Sequence, residues 1–434
     1  MKNKIIKAKC IDMTVEGYGV CKVDDLVIFT KGMIIDEVAM IKIISHKKNL
    51  AYAIIDEMLE PSPYRVKSIC KIAYKCGGCD LRHIDYDFQL KLKQKWVKDT
   101  MRNVAGMDIE VKEVVRSPLL NNYRNKVQVP VDDGKLGFYR KNSHDIMEFE
   151  TCHIQSELSN DILLYLKDEI INRGVDKHFR HILIKHGFAS GEVMVAFITR
   201  VDKFKGMYEL AEDLVKKFPD VKSVILNVNK RNDNVILGDE EIVLAGNPYI
   251  YDLLDGIKFK ISLKSFYQVN PLQTVNLYNE VINRGQITNE MNVLDLYSGI
   301  GSISLFMARS AKHVTGVEII ESAVLNARDN AKINDMDNVT FYLSDAADGL
   351  KHYLKNQDLV IVDPPRKGLN KMVIEEIANT DIEKIVYVSC NPATLARDIR
   401  LFDELGFKVD YVRPFDMFPH TTHVESVVCL TRNK

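Results

Sequence analysis

Cys390 ends the apolar run Val386-Tyr387-Val388-Ser389, and Asn391-Pro392 turns the chain directly after it. A thiol at the end of a strand stands where open α/β sheets gather their reactive groups. Two readings compete there: a nucleophile, or a buried structural cysteine, the commoner fate of a Cys after Val-Tyr-Val. The choice depends on what else reaches that edge. A later strand pattern, His423-Val424-Glu425-Ser426-Val427-Val428-Cys429-Leu430, carries an acid near its start. Taken alone, Glu425 reads as a surface acid and Cys429 as core filler.

A thiolate and a carboxylate in one pocket suit one demanding reaction. Carbon 5 of a uracil is a poor nucleophile. A thiolate that adds to carbon 6 turns the ring into an enolate, and carbon 5 can then attack a methyl sulfonium. A base must afterwards remove the carbon-5 proton so that the thiolate can leave. In that chemistry Cys390 is the nucleophile and Glu425 the base. A free thiol has a pKa near ~8.5 and usually needs lowering; Arg366, Lys367, His420 and His423 are the neighbouring cations that could lower it.

The methyl donor has its own signature. Val293-Leu294-Asp295-Leu296 runs into the glycine turn Tyr297-Ser298-Gly299-Ile300-Gly301, and a helix is expected over Ser302–Ser310. Glycines let backbone approach a ligand at a helix N-terminus. About 20 residues further on, Val314-Thr315-Gly316-Val317 ends in Glu318, placed to accept both ribose hydroxyls of a nucleoside. Two more apolar runs end in Asp345 and Asp363. Acids that merely cap the next helix are the bland alternative. A dinucleotide site is the sharper one, but the turn lacks a full third small residue. Asp295 at its start suits a cationic, phosphate-free cofactor, and S-adenosylmethionine fits.

Cys70, Cys76 and Cys79 form a tight loop with Gly77 and Gly78 between the last two, and Cys152 is the natural fourth ligand. Four thiolates suit zinc or an iron–sulfur cluster, and a three-plus-one spacing is common around a cubane. Cys10 and Cys21 lie in a β pattern and read as structural.

These groups need several elements to position them. The 434 residues exceed one ordinary core. A hydrophobic fraction of 46% and a charged fraction of 27% describe a globular chain. No apolar run is long enough for a membrane span, and no secretory-type leader is visible. A cytoplasmic protein with reduced cysteines is expected. Residues 1–60 alternate with period two and predict a small OB-like β-barrel. A helix is expected over 83–103. Residues 115–262 mix strands and helices without a clear repeat, and from Leu277 onward strand and helix alternate, which implies a parallel sheet. The net charge is -1, yet residues 61–104 are basic, including Arg65, Lys71, Arg82, Lys93, Lys95 and Arg102. Such a segment is either a phosphate-binding patch or a solvated face.

Together, Ser389-Cys390-Asn391-Pro392, Asp363-Pro364-Pro365-Arg366-Lys367-Gly368, Asp295–Gly301 and His423-Val424-Glu425 resemble the RNA uracil-5-methyltransferases. The cysteine loop with Cys152 resembles the 4Fe–4S branch typified by ribosomal RNA enzymes, and residues 1–60 resemble the TRAM domain that precedes them. The resemblance implies a multidomain chain: a barrel at 1–60, a central α/β domain at 61–82 and 115–262 with the cluster, and a Rossmann-like methyltransferase domain at 83–114 and 263–434. It implies Gln268, Tyr297, Glu318, Asp345 and Asp363 around S-adenosylmethionine, with Phe266 near the target base. It also implies a 4Fe–4S cluster on Cys70, Cys76, Cys79 and Cys152, and RNA contacts from Asn122–Lys126 and Phe138–Lys141. The expected substrate is an unstacked uridine of ribosomal RNA, bound by a monomer. Transfer RNA is the nearer alternative. An exocyclic-amine methyltransferase fits less well, because Arg366 stands where an aromatic usually follows the prolines. A non-catalytic iron–sulfur RNA-binding protein would leave Cys390 without a task.

Overall fold

The period-two alternation of the first segment closes a five-stranded barrel. Its strands are β1 (Ile5–Met13), β2 (Tyr18–Val23), β3 (Leu26–Lys31), β4 (Val38–Lys47) and β5 (Leu50–Glu60), in the order β1-β2-β3-β5-β4. The structure is a computed structural model that describes residues 2–433. Cys10 and Cys21 face each other across β1 and β2 and are fully buried with Ile28, Ile41 and Ile43, so both are core residues.

Helix α1 (Tyr86–Thr100) starts where the Asp85 side chain accepts from Phe88 N. Its Leu92 and Trp96 pack on the barrel with Met13 and Ile34, and Trp96 Nε1 donates to Met13 O at 3.0 Å. Val97 and Met101 instead join the core of the C-terminal sheet. One short amphipathic segment therefore touches both layers. A π-type turn prolongs it to Ala105, and Gly106 ends it with φ 74.

The middle of the chain builds a six-stranded mixed sheet. Strands β6 (Lys126–Asp132) and β7 (Lys135–Leu136) precede the short pair β8 (Phe138–Tyr139) and β9 (Ile146–Met147). Helix α2 (Glu157–Asn172) leads to β10 (Phe179–His186) and β11 (Val193–Thr199), and α3 (Met207–Lys217) to β12 (Val221–Val228) and β13 (Glu240–Gly246). The order is β13-β12-β11-β10-β6-β7, with β11 and β12 parallel. One face packs on α2 and α3 through Ile162, Leu166 and Leu210. The other face, with Leu183, Met194 and Ile225, shares a core with the C-terminal half.

A hairpin, β14 (Tyr249–Leu254) and β15 (Ile257–Ser262), and α4 (Pro271–Gly285) lead into the final sheet. Asn270 caps α4 and Pro271 supplies a preset first-turn φ. The sheet then alternates: β16 (Asn292–Leu296), α5 (Ser302–Ala308), β17 (His313–Glu318), α6 (Glu321–Ile333), β18 (Val339–Leu343), α7 (Ala346–Tyr353), β19 (Leu359–Val362), α8 (Lys371–Ala378), β20 (Lys384–Ser389), α9 (Pro392–Glu404), β21 (Phe407–Phe415) and β22 (Glu425–Arg432). Its order is β18-β17-β16-β19-β20-β22-β21, with β22 alone antiparallel to its neighbours β20 and β21. The strand order reverses between β16 and β19, so a crevice is expected outside the carboxyl ends of those strands. Among the described residues no helix is long and apolar enough to cross a membrane.

Candidate active site

Three neighbouring strand ends deliver the reactive groups. Asp363 follows β19, Cys390 follows β20, and Glu425 opens β22. Ser389 pairs with Ser426, so Cys390 and Glu425 continue from adjacent antiparallel positions at one edge. The turn is fixed locally: Asn391 Oδ1 accepts from Ala393 N at 3.0 Å, and Pro392 opens α9. The Asn-Pro pair thus leaves Cys390 at the crevice rather than in the core, and it is part-exposed.

The electrostatics depart from expectation. Desolvation, then the carboxylates of Glu425 and Asp363, push the Cys390 thiol up to about 11, and Arg366 opposes them. The thiol is raised, not lowered. His420 hydrogen-bonds Gln89 of α1 and is held there, and His423 is itself pushed toward neutrality by burial and Arg366. Of the proposed cations, Arg366 acts on the thiol. Glu425 is 4% exposed, its carboxyl is raised well above the usual range by burial and then by Asp363, and Oε2 has no hydrogen-bond partner. Desolvation raises Asp363 to about 7. Buried polar atoms left unpaired are costly, and their grouping points to a ligand that completes them.

The glycine turn lies beside this group. Gly301 has φ 82, and a Cβ there would meet Phe341 at 2.7 Å, so only glycine lets α5 sit this close to the sheet. Tyr297 has φ 67 and is part-exposed. Glu318 Oε2 accepts from Gly299 N and Oε1 from Ile319 N and Ile320 N, which fixes the carboxylate in the crevice. Ile319, Ile320 and Leu343 beside it are 62%, 58% and 51% exposed. An anchored carboxylate flanked by bare aliphatic side chains fits a nucleoside: an acceptor for ribose and an apolar slot for a base. Ser298 Oγ is buried without a partner.

Two acids behave otherwise than their strand-end placement suggests. Asp295 lies inside β16, fully buried, and Ser304 Oγ of α5 donates to it. Asp345 caps α7 by accepting from Ala347 N at 2.9 Å, the bland role, with the carboxyl otherwise exposed. Ser302 Oγ pairs with Tyr278 OH at 2.8 Å, a packing contact.

Gln268 is buried at the mouth of a cavity of about 470 Å³, and Phe266 on its rim is 67% exposed. Arg124, Asn125, Lys126 and Phe138 line the same cavity. Asn125 Nδ2 donates to Gln268 O, tying the two segments together. Lys185 also lines it and was missed: wholly buried, its Nζ donates to Ser262 O at 2.8 Å and Ser265 O at 2.7 Å.

The four cysteines meet in a looser way. Burial raises Cys76 to about 11 and Cys152 to about 12; Cys70 and Cys79 add to the first, and Cys79 and Cys76 to the second. Gly78 N donates to Cys76 Sγ at 3.3 Å. The donor set suits a four-thiolate group. No three His, Cys, Asp or Glu side chains close to metal-holding geometry among the described residues. Within the basic segment Arg65 pairs with Glu37, Lys71 with Glu150, Lys93 with Asp416 and Lys95 with Asp12, and Arg82 is buried, whereas Lys67, Lys75, Lys91, Lys98 and Arg102 are exposed.

The model of a family described as tRNA (uracil-5-)-methyltransferase matches residues 85–433. A Bacillus cereus protein described as an uncharacterized RNA methyltransferase is 41% identical, over 99% of this chain and 97% of its own length. A Halalkalibacterium halodurans protein of like description is 40% identical, over 99% and 97%. The crystal structure of Pyrococcus abyssi tRNA (uracil-54, C5)-methyltransferase in complex with S-adenosyl-L-homocysteine is similar with a TM-score of 0.79 and 29% identity, covering 98% of this chain and 99% of that one.

Proposed function

The chain belongs to the tRNA (uracil-5-)-methyltransferase family and is an S-adenosylmethionine-dependent RNA methyltransferase; from that premise we propose that it methylates carbon 5 of a uridine through a covalent adduct with Cys390. The observation that carries this reading is the convergence of Cys390, Glu425 and Asp363 on three adjacent strand ends, with Glu425 Oε2 unpaired. The Cys390 thiolate adds to carbon 6, and the electron pair moves onto the ring as an enolate. S-adenosylmethionine, when bound, supplies an electrophilic methyl for carbon 5 and a positive charge. Glu425 then takes the carbon-5 proton, the enolate re-forms, and it expels the thiolate. Burial and the Asp363 carboxylate raise the Glu425 carboxyl well above the usual carboxylate range, which makes its ionised form a stronger base for the carbon-5 proton. Tyr297, Glu318, Asp345, Asp363 and Gln268 hold the cofactor on this reading, supported by the fixed Glu318 carboxylate and its bare aliphatic flanks.

The barrel acts as a TRAM-type RNA-binding domain, and Cys70, Cys76, Cys79 and Cys152 hold a 4Fe–4S cluster. The central segments 61–82 and 115–262 form one domain, and 83–114 with 263–434 the catalytic one. We favour ribosomal RNA, on the cysteine loop, and a cytoplasmic monomer. A second reading, transfer RNA, draws on the 29% identity to the Pyrococcus abyssi enzyme across 98% of this chain.

The test uses two variants and total RNA from a strain lacking the protein. Cys390→Ala is expected to abolish 5-methyluridine while S-adenosylmethionine still binds. Glu425→Gln is expected to accumulate a slow-migrating protein–RNA adduct on denaturing gels. An active Cys390→Ala, or no adduct with Glu425→Gln, removes the covalent mechanism. Mapping the methylated position in RNA treated with the wild-type protein decides between the two substrates.

A further inference from the structure

A second group of cations gathers away from the basic segment. Arg180 and His181 open β10, Arg200 follows β11, and Arg231 lies beyond β12, so the sheet brings four distant positions to one end. They line a cavity of about 200 Å³ with Tyr139 and His144. Arg231 is matched by Asp233 at 2.7 Å. Arg180 and Arg200 have no ion-pair partner among the described residues; Arg180 Nη2 donates to the main-chain O of Asp233. Arg180 is only 8% exposed, and its Nη1 has no partner. His181 is 6% exposed with Nδ1 unpartnered. Burial and the two arginines hold His181 down to about 4, so at neutral pH it offers a hydrogen bond and no charge.

Burying a guanidinium beside another cation is unfavourable unless an anion completes the set. The carboxylates at this end leave the set incomplete: Asp132 is exposed on the cavity wall, Asp233 is engaged by Arg231 and acts on Arg180 only from a distance, and neither forms an ion pair with Arg180 or Arg200. Planar guanidinium forks suit a phosphate group.

The cavity is also connected to the one beside Gln268. The cavity beside Gln268 shares Gly78, Gln128 and Phe138 with a shallow cleft of about 650 Å³. That cleft shares Tyr139, His144 and His181 with the arginine cavity. Tyr139 stands at the junction, 38% exposed, with its ring edge-on to His144. An exposed aromatic beside unpaired arginines is the pairing that single-stranded nucleic acid uses, base on ring and phosphate on cation.

We propose that Arg180, Arg200 and His181 form a binding site for a backbone phosphate of the substrate RNA, at the far end of a continuous cleft from Phe266 and Gln268. The proposal rests on the RNA-methylating reading and names where the substrate strand leaves the site. Free inorganic phosphate has the same chemistry, and the experiment separates the two.

The probe is a fluorescent oligouridylate of about 12 nucleotides, long enough for a single-strand track. Its Kd is measured against KCl for the wild-type chain, for Arg200→Ala, whose side chain is at the surface, and for Arg180→Lys, which keeps the buried charge. Methylation of total RNA is followed in parallel. Arg200→Ala is expected to weaken binding about tenfold and to lower the salt slope by about 0.7. It should raise KM for RNA and leave kcat unchanged. Arg180→Lys should lose affinity without losing fold, because a point charge cannot replace the fork. A wild-type chain that methylates while Arg200→Ala shows an unaltered salt slope overturns the phosphate site alone. A wild-type chain that makes no 5-methyluridine, yet whose binding still responds to Arg200, overturns the methyl-transfer reading and leaves the phosphate site standing. Binding of inorganic phosphate that Arg200→Ala abolishes, with oligouridylate affinity unchanged, also overturns it.

Discussion

Carboxylates in the crevice are held against their preferred ionisation, and this ties stability to pH. Desolvation raises both Asp363 and Asp295 from 3.8 to about 7. Below about pH 4 the folded and unfolded chains both hold these protons, and nothing is lost. Between about pH 4 and pH 7 the unfolded chain gives up these protons while the folded chain keeps them, so stability falls across that interval and the full penalty stands above about pH 7. Asp363→Asn is therefore expected to stabilise the fold by up to about 4 kcal/mol above pH 7 and by almost nothing near pH 4, while weakening S-adenosylmethionine binding. Urea unfolding at the two pH values reads the difference, and equal shifts at both would refute the desolvation account. The types of these residues were legible in the sequence; their partners were not. Nothing in Asp295 or Asp345 alone says that one faces Ser304 inside the sheet while the other caps α7. Cys390 shows the same limit, since its strand-end place follows from the Asn-Pro signal but its raised thiol depends on Glu425 and Asp363, far along the chain.

Helix α1 is the element whose role was least visible. Lys93 reads as one cation among many, yet its Nζ lies 2.6 Å from Asp416 Oδ1, both side chains wholly buried, and also donates to Phe418 O. Tyr86 OH donates to Asp416 Oδ2 and accepts from Ser117 N. Asn270 Nδ2 reaches Ser117 Oγ and Met417 O. This network pins the loop leading to Glu425 and the segment following Gln268 to the same helix. Removing one partner of a buried ion pair strands the other charge and costs about 3–5 kcal/mol. Lys93→Met should lose that much in urea unfolding, and Lys93→Met with Asp416→Leu should recover most of it. A double variant no more stable than the single one would show that Asp416 is satisfied without Lys93.

At the scale of the molecule, the two ends were readable because their signals are local. Period-two alternation announces the barrel, and strands alternating with helices announce the parallel sheet. The centre was opaque because β10 and β11 are buried on both faces and show no alternation, and because β6 joins β10 across an intervening helix. The cysteine set links these parts: Cys76 bridges to Arg140 and Cys152 packs against the central core. Protein purified without oxygen is expected to be brown, with broad absorbance near ~400 nm, and Cys152→Ser should lose that colour. A colourless protein carrying zinc would replace the cluster assignment with a zinc site.

The place of β22 has a consequence in time. It follows every other described strand in the chain, yet it lies inside the sheet, between β20 and β21. During synthesis those two strands emerge first and must leave a gap for a partner still to come. Glu425 arrives with that partner, so the edge that holds Cys390 gains its carboxylate in the same event that closes the sheet. A chain interrupted before β22 would have its nucleophile and its glycine turn but neither an intact sheet nor a base, and so could neither capture a uridine and fail to release it nor persist as a half-competent product.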